Sequence, residues 1–230
     1  MNDWRSISLW LDQLDGPLHP RPALSGSLSV DVAIIGAGYT GLWTAYYLKQ
    51  QEPALRIAIV EAEIAGFGAS GRNGGWLMGG ILGENRLLAG LPLEQRQAGY
   101  DLLHGIPDEV GRVIAQENIA CDYRKGGALY CAARYPEQLH SLQEQLKALR
   151  HAGLGSQDYR WLDAPQLSER LRIANGHGAI FTPHVATIQP AKLVRGLADC
   201  VERMGVQLFD GSRGVDWQPG LLRTTAGEVR

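Results

Sequence analysis

The chain has 230 residues and carries 22 basic against 24 acidic side chains, a formal net charge of −2. This length suits one large domain or two small ones. Because 45% of the residues are apolar and 20% are charged, the composition excludes disordered, collagen-like and coiled-coil proteins. With no basic excess, we expect no nucleic-acid partner. No apolar run approaches the roughly 20 residues of a membrane span, so we expect no integral membrane segment.

Cysteine and histidine usage argues against metal and disulfide chemistry. Cys121, Cys131 and Cys200 are too few and too widely spaced for a disulfide framework or a thiolate metal cage. The six histidines form no pair with metal-ligand spacing, so we expect no metal site. His177 and His184 flank an apolar strand, and we interpret them as surface residues in preference to substrate-pocket residues. With no signal-peptide pattern at the start, the sequence predicts a cytoplasmic protein.

The first predicted elements form a strand, a helix and a second strand. Residues 1–29 predict an N-terminal arm, because Pro17, Pro20 and Pro22 oppose regular structure. The β-branched run that follows predicts a fully buried strand of a parallel sheet. Together these elements have the size of a βαβ unit. The strand covers residues 30–35, the helix 39–50 and the second strand 56–61.

Glycines are concentrated in residues 66–83, which hold eight of the 29 glycines of the chain. The same segment contains Phe67, Trp76 and Leu82, whereas a flexible linker is polar and rich in serine. The composition therefore predicts a packed loop in which backbone closely approaches another group.

Later segments alternate between helical and extended patterns. We predict helices over residues 93–118, with a break near Gly105, over 137–150 and over 190–204. We predict strands at 128–133, 159–161, 179–181, 206–209 and 221–225. Val229 and Arg230 begin a return strand that stops after two residues. We therefore expect the chain to be the N-terminal portion of a longer protein, with its C-terminal half missing and its last strand unpaired.

One motif carries chemistry. Residues 36–41 read Gly-Ala-Gly-Tyr-Thr-Gly, a G-x-G-x-x-G pattern between a strand and a helix, and Glu61 follows at the end of the next strand. Gly36 suits the tight turn, Gly38 lets a pyrophosphate touch backbone, and Gly41 lets the helix lie close to the sheet. The helix N-terminus attracts phosphate, and the acidic residue suits ribose hydroxyls. The motif predicts a dinucleotide site.

The residues after this motif carry a family resemblance. Residues 61–75, EAEIAGFGASGRNGG, resemble the flavin loop of the FAD-dependent amine and amino-acid oxidoreductases, the D-amino-acid oxidase-like family. The stretch from residue 68 onward is most similar to the branch that contains gamma-glutamylputrescine oxidase. The resemblance continues through residues 187–194 and the strand after Gly205.

The resemblance implies an α/β fold, with a Rossmann-like FAD-binding βαβ unit and an inserted α+β substrate domain. The implied domains are an arm (1–29), a first FAD-binding segment (30–90), a substrate-domain portion (91–186) and a truncated second FAD-binding segment (187–230).

The resemblance also implies the cofactor contacts. The pyrophosphate contacts are Gly36, Ala37, Gly38, Thr40 and Gly41, and the ribose contacts are Glu61 and Ala62. The contacts along the ribityl chain and the flavin ring are Ala69, Ser70, Arg72, Asn73, Gly74 and Gly75. Backbone at Gly214 would touch the adenine, although relatives usually have threonine and a β-branched residue where this chain has Ser212-Arg213-Gly214.

Two alternatives accompany these contacts. Arg72 would meet negative charge on the phosphates or the flavin, and its alternative role is to brace the loop. Some relatives attach flavin through histidine or cysteine in this loop. Residues 62–83 contain neither residue, so the implied FAD is bound non-covalently.

The implied reaction is oxidation of the CH–NH bond of a small amine or amino acid. A hydride passes to flavin N5, the imine is hydrolysed, and the electrons pass to oxygen or another acceptor. No catalytic residue is identified in the sequence. Two alternatives stay open: a non-catalytic, truncated dinucleotide-binding fragment and an NAD-binding module. The glycine-rich loop is the discriminating feature, because a nicotinamide enzyme does not require it.

Overall fold

The computed structural model describes residues 3–230, which form eight α-helices and thirteen strands. The helices are α1 (Leu9–Asp12), α2 (Tyr39–Gln51), α3 (Glu84–Leu88), α4 (Leu93–His104), α5 (Ile106–Gln116), α6 (Pro136–His151), α7 (Ala164–Arg170) and α8 (Pro190–Arg203). The strands are β1 (Gly26–Leu28), β2 (Val32–Ile35), β3 (Ile57–Val60), β4 (Trp76–Met78), β5 (Arg124–Lys125), β6 (Ala128–Ala132), β7 (Arg160–Asp163), β8 (Gly178–Thr182), β9 (Val185–Thr187), β10 (Gln207–Phe209), β11 (Gly214–Gln218), β12 (Leu221–Thr224) and β13 (Gly227–Val229).

The chain divides into two compact units. Unit 1 contains the residues up to Gly75, together with Ile114–Asp122 and Gln189–Arg230. Unit 2 contains Trp76–Val113 and Tyr123–Ile188. The division into FAD-binding and substrate-binding segments is a separate, functional assignment and stays a prediction.

The first sheet of unit 1 is parallel and has the order β10–β3–β2. The predicted βαβ unit is present as β2, α2 and β3. All four residues of β3 are buried, because β3 has a neighbour on each side. The prediction that the first strand is fully buried was wrong. β2 lies at the edge of this sheet, and Ile35 is 57% exposed.

The second sheet of unit 1 has the order β1–β13–β12–β11. It corrects the prediction that the last strand is unpaired, because β13 pairs with β12 on one side and with β1 on the other. The arm was expected to lack regular structure, yet it supplies β1. The Arg230 N–H donates to the carbonyl of Leu28, so the arm and the last strand form one sheet.

The remainder of the arm is also fixed to unit 1. The Gln189 side chain donates from Nε2 to the carbonyl of Trp10 at 2.7 Å. The Leu24 N–H donates to Ser212 Oγ at 2.8 Å, and Ser212 is fully buried. The arm therefore belongs to the core structure of this unit.

Helix α8 has the predicted apolar face. Leu193, Leu197 and Val201 are all almost completely buried. The helix begins at Pro190, whose missing N–H costs nothing at a first-turn position. The Tyr39 hydroxyl donates to the Pro190 carbonyl at 2.9 Å, which links the first residue of α2 to the start of α8.

Unit 2 contains two antiparallel three-stranded sheets, with the orders β4–β9–β5 and β6–β8–β7. The glycine-rich stretch enters this unit at β4. It is predicted to be a packed loop with a close backbone approach, and Gly79 confirms this, because a Cβ there would lie 2.9 Å from the His184 carbonyl oxygen. Other side chains beyond Gly75 are not packed. Trp76 is 60% exposed and the Leu82 side chain is fully exposed. Within residues 3–230, no helix has both the length and the apolar character needed to cross a membrane.

Candidate functional site

The turn between β2 and α2 leaves room for glycine only. Gly36 has a φ of +96°, which side-chain-bearing residues rarely adopt. A Cβ on Gly41 would lie 2.2 Å from the Gly36 carbonyl oxygen, and a Cβ on Gly38 would lie 2.9 Å from Ser70 Oγ. The first turn of α2 therefore packs directly against the end of β2, as the spacing of the motif predicts.

Two backbone donors of this turn are bound by side-chain oxygens. The Ala37 N–H donates to Glu61 Oε2 at 2.9 Å, and the Tyr39 N–H donates to Ser70 Oγ at 2.9 Å. Both acceptors come from segments that were predicted to contact the cofactor. The turn thus already binds oxygen acceptors, and the oxygens of a pyrophosphate offer the same chemistry at a helix N-terminus.

Glu61 lies at the carboxyl end of β3, next to the turn. Its other oxygen, Oε1, accepts from the Glu63 N–H at 3.0 Å. A carboxylate oxygen has two acceptor positions, so each oxygen of Glu61 keeps one for a further donor such as a ribose hydroxyl. Ala62 follows Glu61 directly and is half-buried.

The loop that follows is tied to the turn. The Gly66 N–H donates to the Ala37 carbonyl at 3.0 Å. Gly66 has a φ of +83°, and a Cβ on Gly71 would lie 2.2 Å from its carbonyl oxygen. Ala69 is exposed at the start of the 3₁₀ turn Ala69–Gly71. These contacts hold the loop close to the first glycine turn.

Arg72 and Asn73 brace this loop. The Arg72 guanidinium lies 5.0 Å from the centre of the Phe67 ring. Asn73 donates to the carbonyls of Ala69 and Ser70, and it accepts from the Gly75 N–H at 2.8 Å. Arg72 thus contacts the loop itself, which fits its alternative role, and its charge contact with the cofactor stays a prediction. Gly74 is exposed beside them.

Gly214 reaches the same end of the parallel sheet from the C-terminal side. A Cβ on Gly214 would lie 3.5 Å from Ile35 Cγ2, one residue before the glycine turn. Its neighbour Ser212 has a structural role, because its Oγ accepts from Leu24 and donates to the Asp210 carbonyl at 3.1 Å. The structure thus brings every predicted cofactor-contact segment into unit 1.

Asp210 is a residue that sequence reasoning missed. Its carboxylate is almost completely buried and accepts from the Ala65 N–H at 3.0 Å and the Arg21 N–H at 2.8 Å. Burial raises the pKa of Asp210, and the hydrogen bonds from Arg21 and Ala65 oppose that rise. An isolated aspartate after a strand has no periodicity or spacing that would predict this role.

Comparison with protein families decides the nature of the site. Residues 31–230 match the model of the family described as FAD dependent oxidoreductase. The chain belongs to the FAD-dependent oxidoreductase family. Family membership favours FAD over a nicotinamide cofactor. Because FAD is a dinucleotide, this result agrees with the dinucleotide site predicted at the glycine turn.

Individual relatives and solved structures are similar to this chain over most of its length. It is 30% identical to gamma-glutamylputrescine oxidoreductase from Escherichia coli over 220 residues, 91% of this chain and 49% of the relative. Its structure matches L-amino acid deaminase from Proteus vulgaris with a TM-score of 0.68 at 22% identity, covering 92% of this chain and 48% of the deaminase. Glycine oxidase from Geobacillus kaustophilus gives 0.67 at 23% identity, with coverages of 88% and 53%. The chain spans about half the length of these relatives.

A second concave site lies within unit 2. A cavity of about 380 Å³ has polar lining from Glu84, Tyr130, Tyr159 and His184. The surface interpretation of His184 was wrong, because its side chain is only 20% exposed. His177, by contrast, is exposed as predicted.

His184 belongs to a histidine cluster, which we define as His104, Asp158 and His184. The two imidazole rings stack with centroids 3.9 Å apart and planes 6° from parallel. His104 Nδ1 lies 3.6 Å and His184 Nε2 lies 3.1 Å from the same oxygen, Asp158 Oδ1. Burial, followed by the charge of His184, lowers the pKa of His104.

The histidine cluster has the residue types of a metal site, and its donor atoms lie within 4.8 Å of one another. Its geometry argues against one. A histidine nitrogen binds metal along its lone pair, in the plane of the ring. Because the two rings are nearly parallel and stacked, a shared ion could lie in the plane of one ring at most. One nitrogen of each ring instead lies near Asp158, which suits a shared proton.

Proposed function

We propose that this chain binds FAD non-covalently in unit 1 and oxidises the CH–NH bond of a small amine or amino acid. The observation that carries the proposal is the turn at Gly36–Gly41. It has no room for a Cβ at Gly41, its donors already bind oxygen acceptors, and Glu61 lies beside it. Family membership supports FAD as the dinucleotide.

The proposed cofactor contacts follow from this arrangement. The turn and the N-terminus of α2 would hold the pyrophosphate, Glu61 would accept from the ribose, and the loop from Ala69 to Gly75 would run along the ribityl chain and flavin ring. The residues in these roles are Gly36, Ala37, Gly38, Thr40, Gly41, Glu61, Ala62, Ala69, Ser70, Arg72, Asn73, Gly74, Gly75 and Gly214.

Two of these residues act through the loop. Asn73 uses its amide on loop carbonyls and on the Gly75 N–H, so it fixes the path of the backbone. Arg72 covers Phe67 and keeps a positive charge at this edge of unit 1. Ser70, whose Oγ accepts from the Tyr39 N–H, would contact the ribityl chain where the loop meets the turn.

When bound, FAD would supply the two-electron acceptor for the hydride on the carbon next to the amine nitrogen, and oxygen or another acceptor would reoxidise it. The imine product is hydrolysed by water. The protein's role is to bind and orient the reactants. Peroxisomal sarcosine oxidase from human and glycine oxidase are relatives or fold neighbours whose names match amine chemistry of this kind.

Attachment and location complete the proposal. Residues 62–83 contain no histidine or cysteine that could form a covalent flavin link. No disulfide joins Cys121, Cys131 and Cys200 among residues 3–230, which is typical of a reducing compartment, and we place the protein in the cytoplasm.

A second candidate is a dinucleotide-binding chain without catalysis. One observation favours it, since the chain spans about half the length of its relatives. Residues that complete the active sites of those relatives need not be present in this half.

The test is the visible absorption spectrum of the purified chain before and after acid precipitation. We expect flavin bands that move to the supernatant. Bands that stay with the pellet would contradict non-covalent attachment, and a folded chain that stays colourless with added FAD would contradict the whole proposal. Anaerobic bleaching by amines then separates the working enzyme from the non-catalytic candidate.

A further inference from the structure

The cavity of unit 2 has the size and wall of a small-molecule site. Its volume of about 380 Å³ lies in the range of roughly 300–1,000 Å³ that is typical of ligand pockets. Polar side chains enter it from α3, from β6, from α6, from the residue before β7 and from the C-terminal end of β8 and the turn after it, and apolar side chains complete the wall. The polar side chains are Glu84, Asn85, Tyr130, Gln145, Tyr159, Thr182 and His184.

The charged groups of this wall are acidic. Glu84 is the one carboxylate among the lining residues that the structure describes, and none of those residues is lysine or arginine. Behind the wall, Asp158 is buried and holds His184 at 3.1 Å. Because the wall has a carboxylate and neither lysine nor arginine, a positively charged ligand group would be stabilised there and a carboxylate would be repelled by Glu84.

Glu84 is held in position for such a contact. Its Oε2 accepts from the Ile81 N–H at 2.9 Å, which leaves acceptor positions on both carboxylate oxygens. The negative charge of Glu84 acts on both tyrosines of the cavity wall. Burial is the main cause of the raised pKa of Tyr130 and of the rise of the Tyr159 pKa to about 12, and the charge of Glu84 is the second cause in both cases. A cation in the cavity would therefore interact with one carboxylate and two phenol rings.

Tyrosine rings strengthen this preference. A ligand cation within about 6 Å of a tyrosine ring face is attracted by the ring quadrupole. Tyr130 and Tyr159 both line the cavity, and both have pKa values raised mainly by burial, so their rings stay neutral at physiological pH. The wall thus offers the two features that bind ammonium groups, a counter-ion and aromatic rings.

We propose that the cavity of unit 2 binds the ammonium group of a small aliphatic amine, with Glu84 as its counter-ion, and that it discriminates against ligands with a carboxylate. The inference rests on the proposed function in one respect, since it assigns the substrate class of that activity as amine in preference to amino acid.

Calorimetric titration of the full chain with three ligands tests the proposal. Butylamine and butane-1,4-diamine each present an ammonium group, whereas 4-aminobutanoate is the diamine with one ammonium replaced by carboxylate. We expect both amines to bind and 4-aminobutanoate to bind at least tenfold more weakly than the diamine. Equal affinity for 4-aminobutanoate and butane-1,4-diamine, or no binding of either amine to the folded chain, would overturn the proposal.

A variant assigns the contact to Glu84. In Glu84→Gln the amide oxygen still accepts from the Ile81 N–H, so the substitution removes charge and keeps the local bond. We expect at least a tenfold loss of diamine affinity. Glu94→Gln, at an exposed position of α4 outside the cavity wall, makes the same charge change and should bind as the unchanged chain does. If Glu84→Gln binds the diamine as tightly as Glu94→Gln, Glu84 is not the counter-ion.

This measurement is independent of flavin. Calorimetry reports amine binding to unit 2, whereas the visible spectrum reports FAD binding to unit 1. A chain that binds amines and stays colourless would contradict the proposed function alone. A chain that has bound flavin and shows no calorimetric binding of either amine would contradict only the assignment of this cavity.

Discussion

The two candidate sites of the molecule differ in the groups that form them, backbone in unit 1 and side chains in unit 2. In unit 1, the dinucleotide turn consists of backbone, and its shape depends on the absence of a Cβ at Gly38 and Gly41. In unit 2, the cavity consists of side chains, with Glu84, Tyr130 and His184 contributed by separate elements. The first site uses N–H groups fixed by a helix and a strand, whereas the second uses charge and aromatic rings.

This difference determines which substitutions each site tolerates. A backbone site fails when a side chain fills the space that the ligand or the helix needs. A side-chain site keeps its shape when one charge is removed, and its affinity changes by the contribution of that charge. The comparison therefore makes opposite predictions for steric and for electrostatic changes in the two units.

The largest effect is expected for Gly41→Ala. The new Cβ would lie 2.2 Å from the Gly36 carbonyl oxygen and 3.1 Å from Ile34 Cγ2, and neither the carbonyl nor the strand can move without distorting the turn. Overpacking of this kind costs about 3 kcal/mol. We expect a loss of FAD affinity of about 100-fold or more, measured by flavin fluorescence on titration with FAD.

The control for this substitution is Gly90→Ala. Gly90 has no atom within 4 Å of a built Cβ, so the change adds the same methyl group without a clash. It should bind FAD as the unchanged chain does. If Gly41→Ala also kept its FAD affinity, the turn would not be the backbone-built site described above.

The second-largest effect is expected for the buried carboxylate of Asp210, which shows that unit 1 depends on one side chain as well as on backbone. Asp210→Ala removes the acceptor of the Ala65 and Arg21 N–H groups and leaves a buried donor unpaired. An unsatisfied buried donor costs about 1–3 kcal/mol. We expect the free energy of unfolding to fall by about 2 kcal/mol, measured by urea denaturation.

Asp216→Ala is the matched control for Asp210→Ala. Asp216 accepts from Arg223 in an exposed ion pair, with 60% of the Asp216 side chain open to solvent. Exposed pairs contribute about 0–1 kcal/mol. Equal destabilisation by the two substitutions would mean that the carboxylate of Asp210 does not join the segments of unit 1.

The glycine turn could be predicted from sequence because its components are local. Gly36, Gly38 and Gly41 lie within six residues, and a strand and a helix on either side fix where they point. The same local logic predicted β3 and the buried face of α8. It failed for β2, because the exposure of Ile35 depends on which strands flank it, and no pattern within the strand encodes that.

The cavity and the histidine cluster could not be predicted, because long-range folding assembles them. His184 and Asp158 are 26 residues apart and lie in connecting segments, and His104 is the last residue of α4. Spacing rules for metal or catalytic pairs act within one element and say nothing about such contacts. The pairing of β1 with β13 was missed for the same reason, since it joins the two ends of the chain.

The smallest effect concerns pH and the histidine cluster of unit 2. The pKa of His104 is lowered from its ordinary value of 6.5 by burial and by His184, while Asp158 and Asp101 oppose the shift. The unfolded chain therefore binds a proton more readily than the folded chain does. Stability is complete above pH 6.5 and falls as the pH drops below it towards the lowered pKa of His104. We expect urea denaturation between about pH 7.5 and 5 to show this fall.

The variant His104→Phe identifies the source of this pH dependence. It keeps an aromatic ring between Tyr100 and His184, which stack on His104, and it removes the titrating group. The fall in unfolding free energy over the same pH range should be shallower than in the unchanged chain. His140→Gln removes a histidine that is exposed on α6 and should leave the fall unaltered. If the unfolding free energies of His104→Phe and the unchanged chain fall equally over this pH range, another group takes up the proton. The charge state of the histidine cluster would then contribute little to the stability of unit 2.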